Sequence, residues 1–185
     1  ETLLHAFLPH KFIDHTHANA VLALSDQPNG AGICDEVYGK RVALVPYIMP
    51  GFALAKKAAE IHAANPDCAG LILLKHGIFS FGETAREAYD RMIDLVNLAE
   101  KRLARAKRKL VPAKALPKAL ARPGEVAPIL RGLLAREVDR GEGLYSRMVL
   151  TFRTSPAIRA FVGGRDVSRY SQGGTITPDD VIRTK

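Results

Sequence analysis

The sequence contains few cysteines and no long apolar run. Its two cysteines, Cys34 and Cys68, belong to no CxxC pair or repeated spacing, so we expect inert thiols in a reducing cytoplasm rather than a disulfide framework. No apolar run approaches the roughly 20 residues that a membrane-spanning helix needs, and no signal-peptide pattern is visible. We therefore predict a cytoplasmic globular protein with no membrane partner.

The length and composition are those of an ordinary globular chain. Its 185 residues, 47% apolar and 25% charged, suffice for one well-buried core, or for one core and an appendage. Both ends are abrupt, because the first residues from Glu1 have the pattern of a helix interior and the last residues before Lys185 have no pattern that ends an element. We expect the chain to be an N-terminally incomplete piece of a longer protein.

The charge balance is basic, with a formal net charge of +8. Residues 101–122 contain nine lysines or arginines and no acid, and prolines stand at positions 112 and 117. No aromatic side chain is interleaved for base stacking, so a solvated helix end and linker is favoured over a nucleic-acid surface. Part of the positive charge is suited to attracting an anionic substrate.

Apolar patterning alternates predicted strands with predicted helices, which favours an α/β layered domain with a central β-sheet flanked by helices. Periodicity leaves open whether the sheet is parallel or antiparallel. We expect a loop at 25–32 and a mostly irregular end at 165–185. The predicted strands are 11–17, 41–47, 69–75 and 147–153, and the predicted helices are 1–7, 18–24, 51–64, 84–109, 125–140 and 156–162.

The clearest helix start is a capping box at Thr84-Ala-Arg-Glu87, in which a threonine hydroxyl and a glutamate each satisfy an unpaired amide. Apolar residues follow at helical spacing, and we predict that Tyr89 packs in the core. His10 and His62 are interpreted as ordinary surface or helix histidines.

Two histidines separated by one residue are the main chemical signal. His15 and His17 lie in a predicted strand, where residues i and i+2 point to the same face, so both imidazoles would project side by side. Asp14 would point to the opposite face, as an outer-shell or surface group. Two same-face imidazoles can bind a metal, but two half-exposed surface histidines would give the same pattern.

A third histidine strengthens the metal hypothesis. His76 follows directly on the most hydrophobic predicted strand and precedes Gly77, at the mouth of the strand, where sites in α/β proteins commonly form. Catalytic zinc typically has three protein ligands and one open position. We therefore predict that His15, His17 and His76 hold a divalent metal, Zn²⁺ or another divalent ion.

These motifs resemble those of the class II aldolase/adducin family. The resemblance rests on Glu1-Thr-Leu-Leu-His5, His15-Thr-His17, Lys75-His-Gly77 and Gly-Glu-Thr-Ala-x-Glu-Ala-Tyr89. It covers residues 1 to about 110 well and continues more weakly to the end. The details look most like the rhamnulose-1-phosphate aldolase domain of a bifunctional aldolase and short-chain dehydrogenase.

The resemblance implies a set of roles. The three histidines match the family's metal ligands, Glu1 matches its general base, and His5 receives no chemistry. Residues 1–110 would be the aldolase domain with the metal site. Residues 111–185 would be a C-terminal helical and irregular extension leading toward a dehydrogenase domain. The phosphate-binding loops of the family lie upstream of its acid, which is matched here by residue 1, so the resemblance assigns no phosphate-binding residue.

The implied function is metal-dependent cleavage of a deoxyketose 1-phosphate in rhamnose metabolism. L-Rhamnulose 1-phosphate would give dihydroxyacetone phosphate and lactaldehyde, and the family resemblance implies a cytoplasmic homotetramer. Two alternatives stay open: a pentulose-phosphate 4-epimerase of the same superfamily, and an adducin-like structural module without catalysis. The glutamate at position 1 favours the aldolase over the epimerase, and the three histidines argue against the structural module.

Overall fold

The computed structural model describes residues 2–105 and 120–183. The chain divides into two compact units, one of residues 1–108 with 174–185 and one of residues 109–173. Glu1, the last predicted turn of the helix 84–109 and most of the predicted linker lie outside the described residues. The predicted division of the chain at residue 110 stays a prediction.

The first unit is built on a four-stranded mixed sheet. β4 lies between β1 and β3 and is antiparallel to both, whereas β3 is parallel to β2 at the other edge. The three strands predicted in this unit are confirmed with shorter bounds, and the strand after His76 was not predicted. The strands are β1 (Phe12–Thr16), β2 (Val42–Val45), β3 (Gly70–Leu73) and β4 (Gly77–Gly82).

Helices cover both faces of this sheet, which confirms the predicted α/β/α layering. α1 and α4 pack on the face that carries Leu71, Leu73 and Phe79, while α2, α3 and α5 pack on the face that carries Ile72 and Ile78. No helix in the described part of the chain is long and apolar enough to cross a bilayer. The helices are α1 (Thr2–Phe7), α2 (Asn19–Ser25), α3 (Gly30–Tyr38), α4 (Phe52–Ala64) and α5 (Ala85–Ala104).

The predicted loop 25–32 is shorter than expected, because α3 already begins at Gly30. A Cβ atom on Gly30 would stand 2.3 Å from the carbonyl oxygen of Ser25, so only glycine allows the helix to start this close to α2. Cys34 and Tyr38 then bury their side chains from α3. Burial raises the pKa of the Cys34 thiol to about 11, which keeps it protonated at neutral pH, in agreement with an inert cysteine.

α5 begins at the predicted cap. The Thr84 hydroxyl accepts a hydrogen bond from the Glu87 amide at 3.1 Å, and the Glu87 carboxylate accepts from the Glu83 amide at 2.8 Å. The prediction that Tyr89 packs in the core is wrong, because its side chain is 57% exposed in this chain. The buried stripe of α5 includes Ala88 and Met92, and a step of one residue along a helix turns Tyr89 away from it.

The second unit contains short elements with little burial. The helix predicted over 125–140 is wrong beyond α6, because a two-stranded hairpin follows it, and the strand predicted at 147–153 is not formed. The Asp139 carboxylate accepts from the Gly141 amide at 2.8 Å and Gly143 has φ 63°, which closes the hairpin turn. The elements are α6 (Pro123–Leu133), β5 (Arg136–Asp139), β6 (Leu144–Ser146), the confirmed α7 (Pro156–Val162) and α8 (Val167–Tyr170).

The chain returns to the first unit at Gly174. A last short helix, α9 (Pro178–Arg183), lies in the region that the sequence predicted to be mostly irregular. Thr177 is buried just before this helix, and its hydroxyl accepts a hydrogen bond from the Asp180 amide at 3.3 Å. This cap lets a six-residue segment form a helix at the end of the described chain.

Candidate metal centre

His15 and His17 project from the end of β1 on the same face, as the strand spacing predicted. The His15 ring stacks on Phe79 of β4, with centroids 4.1 Å apart and planes at 13°. Thr16, between them, points to the other face and donates its hydroxyl to the Met92 sulfur at 3.4 Å. The Nε2 atoms of the two histidines stand 3.1 Å apart.

His76 reaches the same place from the turn between β3 and β4. Its amide donates to the Leu73 carbonyl at 3.0 Å, and the preceding Lys75 has a left-handed φ of 62°. The His76 ring is 9% exposed, with its centroid 5.4 Å from that of His15 and 5.1 Å from that of His17. Within the described residues, these three side chains form a group whose ligand atoms all lie within 4.8 Å of one another.

The outer nitrogen of each strand histidine has a defined acceptor. His15 Nδ1 donates to the Ile78 carbonyl at 3.0 Å, and His17 Nδ1 donates to the Asp179 carboxylate at 3.0 Å. Because a carbonyl and an ionised carboxylate can only accept, the proton of each neutral ring belongs on Nδ1. With the proton on Nδ1, both rings present Nε2 toward the same point, 3.1 Å apart, as two ligands of one cation would.

The donor set fits a divalent metal. Zinc bound by imidazole nitrogens at about 2.0–2.1 Å in a tetrahedral arrangement holds two such nitrogens about 3.3 Å apart, close to the observed 3.1 Å. His76 stands farther away, with its ligand atom within 4.8 Å of those of the other two. The hydrogen bonds at Nδ1 fix the tautomer that presents Nε2, as metal-binding histidines require.

Gly77 lets the three histidines approach one another. A Cβ atom at this position would stand 2.6 Å from the Thr16 carbonyl oxygen and 2.9 Å from ring carbons of both His15 and His17. No side chain other than hydrogen is accommodated there without displacing the strand or the imidazoles. Steric crowding therefore explains why a glycine follows His76.

A cavity of about 340 Å³ opens beside His76. It is enclosed by α1, the start of α4 and the sheet, and its walls are mostly apolar. The residues that line it are Leu4, Pro50, Gly51, Leu54, Ala55, Leu73, His76 and Phe79. A small ligand in this space would therefore lie against one of the three histidines.

The other candidate residues take different places. Glu1 lies outside the described residues, next in sequence to α1. Asp14 is half-buried opposite Ser80 in the strand register, and the alternation of β1 puts it on the sheet face away from His15. His5 is exposed, with the edge of its ring toward Phe79 at 6.5 Å between centroids.

The prediction that His62 is an ordinary surface or helix histidine is right about the helix and wrong about the surface. His62 lies in α4 as predicted, yet its side chain is only 3% exposed, and its Nε2 is 2.8 Å from His10 Nε2. The His10 ring stacks on Phe81 with centroids 4.6 Å apart. Burial lowers the pKa of both histidines below the usual value of 6.5, and the pair lies apart from the three-histidine group.

Two contributors to the site were missed by sequence reasoning. Phe79 supplies the surface on which His15 stacks, and it lies in the strand that was not predicted. Asp179 reaches His17 across 162 residues of sequence, so no local motif could link them. A Pro-Asp-Asp helix start was the available signal, and it indicates only a helix.

Comparisons with known proteins agree with this fold. The family model described as "Class II Aldolase and Adducin N-terminal domain" matches residues 1–103, and the model described as "Aldolase class II, second domain" matches residues 121–185. The chain therefore belongs to the class II aldolase/adducin family, and its fold is the α/β fold of that family.

Individual relatives are longer than this chain. It is 32% identical to "Uncharacterized oxidoreductase YuxG" of Bacillus subtilis, over all of this chain but only 27% of that protein. It is 42% identical to the N-terminal class II aldolase domain of a conserved protein from Thermoplasma acidophilum, with a TM-score of 0.51, over 56% of this chain and 47% of that one. A sugar-phosphate aldolase from Thermotoga maritima is 23% identical with a TM-score of 0.47, over 58% of this chain and 54% of that one.

Proposed function

We propose that this chain carries the metal site of a class II aldolase that cleaves a ketose 1-phosphate. The observation that carries the proposal is the pair of His15 and His17 Nε2 atoms, 3.1 Å apart, with both Nδ1 atoms already donating to other groups. A ligand atom of His76 lies within 4.8 Å of both, so three imidazoles converge as the ligands of one cation would. Membership of the family supports a lyase.

The proposed roles of the histidines follow from their positions. His15, His17 and His76 would hold a divalent ion, with Zn²⁺ favoured, and leave at least one coordination position open. Such an ion, when bound, polarises a substrate carbonyl and stabilises the negative charge that develops on carbon–carbon cleavage. Phe79 fixes the plane of the His15 ring by stacking, and Asp179 fixes that of His17 by hydrogen bonding.

Proton transfer is assigned to Glu1 on the family resemblance alone. A carboxylate moves protons efficiently only within hydrogen-bond reach of the reacting atom. Leu4 of α1, the helix that follows Glu1 in the sequence, lines the cavity beside His76. The proton donor for the aldehyde product is left unassigned.

The favoured substrate is L-rhamnulose 1-phosphate, with dihydroxyacetone phosphate and lactaldehyde as products. The cavity beside His76, at about 340 Å³, is of a size that accepts a small sugar phosphate rather than a polymer. The chain spans about a quarter of the length of its Bacillus subtilis relative, whose name includes oxidoreductase. We propose that an aldolase region (residues 1–110) and an extension (111–185) are followed by a dehydrogenase.

Metal content tests the first step of the proposal. Elemental analysis of the purified protein under non-chelating conditions should give about one divalent ion per chain. The double variant His15→Ala/His17→Ala should lose it, and His5→Ala, an exposed histidine given no role, should keep it. Equal metal content in the wild type and the double variant would refute the three-histidine site.

Turnover tests the second step. The full-length protein should release dihydroxyacetone phosphate from L-rhamnulose 1-phosphate, measured with a coupled reductase, and His76→Ala should abolish the release. Formation of a 4-epimer from a pentulose 5-phosphate, with no triose released, would identify an epimerase instead. A full-length protein without bound metal or turnover would indicate a structural module, and light scattering of the same sample tests the expected tetramer.

A further inference from the structure

The end of the described chain contacts the metal site through one carboxylate. Asp179 lies in α9, and its Oδ2 accepts the hydrogen bond from His17 Nδ1 at 3.0 Å. The His17 side chain is 14% exposed and that of Asp179 is 50% exposed, so the contact lies at the rim of the site. His15, by contrast, donates to a backbone carbonyl of the adjoining strand.

The position of Asp179 depends on the docking of the last segment. Residues 174–183 belong to the first unit, and Thr177 is 5% exposed at the start of α9. Ile176 and Asp180 line the same cleft, of about 490 Å³, as residues of α2 and α5. The carboxylate therefore reaches His17 only while this segment lies against those two helices.

The acceptors of the two strand histidines differ in whether they can move away from the ring. The Ile78 carbonyl is part of β4 and cannot leave while the sheet is intact. The Asp179 carboxylate carries a formal charge and sits on a short helix near the end of the described residues. A charged acceptor strengthens the hydrogen bond and makes the ligating nitrogen a better donor to a metal.

We propose that Asp179 is a positioning residue that couples the docking of residues 174–183 to metal binding at His15, His17 and His76. The inference rests on the proposed metal site and adds to it the partner of one ligand. Coupling between two equilibria is reciprocal, so an ion at the histidines stabilises the docked segment to the same extent as the docked segment stabilises the ion. Residues 174–183 thereby support the site formed by His15, His17 and His76.

Metal affinity is the direct test. The apo protein is titrated with Co²⁺, whose visible absorption reports coordination, and with Zn²⁺ against a chromophoric chelator. Asp179→Asn keeps the size of the side chain and should weaken binding about 10- to 100-fold, the usual effect of losing such a partner. Asp67→Asn removes the same charge from an exposed residue at the opposite end of β3 from His76 and should change the affinity less than twofold.

A second measurement separates coupling from a merely structural role. Hydrogen exchange of residues 174–183 should slow when metal is added to the wild type and should not respond to metal in Asp179→Asn. Asp179→Glu keeps the charge on a longer side chain and should recover part of both effects. Melting curves of the apo forms check that each variant is folded.

The outcomes distinguish this inference from the function on which it rests. A wild type that binds no metal at the histidines would overturn both. A wild type that binds metal, with Asp179→Asn equal to it in affinity and in the metal response of its exchange, would overturn the inference alone. Weaker binding in Asp179→Asn but not in Asp67→Asn, with the metal response of exchange lost, would support it.

Discussion

Replacing Gly77 with alanine should remove the metal without unfolding the protein. The added methyl carbon would stand 2.9 Å from His15 Cε1 and from His17 Cδ2, where ordinary contact begins at 3.4 Å, so each ring must retreat by about 0.5 Å. Metal sites hold their ligand distances within about 0.2 Å, so this displacement exceeds the tolerance. Gly77 lies in β4 without a positive φ, so alanine meets only the steric obstacle.

The same substitution should also lower the free energy of unfolding. The methyl carbon would approach the Thr16 carbonyl oxygen to 2.6 Å, which forces β1 and β4 apart at their shared end. Added groups in a packed interior typically cost about 1–3 kcal/mol. Urea unfolding of the metal-free Gly77→Ala protein measures this cost, and elemental analysis with Co²⁺ spectra measures the loss of metal.

Two other glycines provide matched controls. A Cβ on Gly82 would approach the Ala88 amide nitrogen to 2.6 Å, the same closest distance, but away from the histidines, so Gly82→Ala should destabilise the protein and keep the metal. Gly32 is exposed in α3 with nothing within 4 Å, so Gly32→Ala should stabilise by about 0.5–1 kcal/mol. Full metal occupancy in Gly77→Ala, or equal metal loss in Gly82→Ala, would refute the reasoning.

Three further predictions concern stability. Burial lowers the pKa of His10 and His62 in the folded protein, so these histidines take up protons at a higher pH in the unfolded chain than in the folded one. The urea midpoint should therefore be constant above about pH 6.5 and fall as the pH drops below it, less steeply in His62→Gln. A midpoint that does not depend on pH would contradict this. Lys75→Gly should raise the free energy of unfolding by up to about 1 kcal/mol, because φ 62° strains any other residue, whereas Lys75→Val should lower it. Thr84→Ala should cost about 1 kcal/mol and lower the Tm, through loss of the bond to the Glu87 amide; an unchanged Tm would show that the cap is dispensable.

Much of the first unit could be predicted from the sequence because the signals are local. Strand geometry alone put His15 and His17 on one face, and an unbroken apolar run marked β3 as buried on both sides. A threonine followed by a glutamate three residues later marked the start of α5. Each of these depends on backbone periodicity or on hydrogen bonds within four residues, which neighbouring residues determine.

Features that depend on strand pairing and on helix rotation were decided by the tertiary structure. The sequence could not show that Tyr89 points to solvent. A helix with apolar residues on two sides can pack either side against the core, and only its packing on the sheet determines which side is buried. His62 likewise becomes buried only where α4 meets Phe81.

The same division holds for the candidate metal centre. The sequence by itself determined that His15 and His17 share one face, because covalent geometry fixes the direction of alternate side chains in extended backbone. Only the tertiary structure decided the 3.1 Å approach of their nitrogens, the position of His76 beside them and the carboxylate of Asp179. These contacts join segments as far apart as 162 residues, and such contacts follow from sheet register and chain closure, which no local pattern encodes.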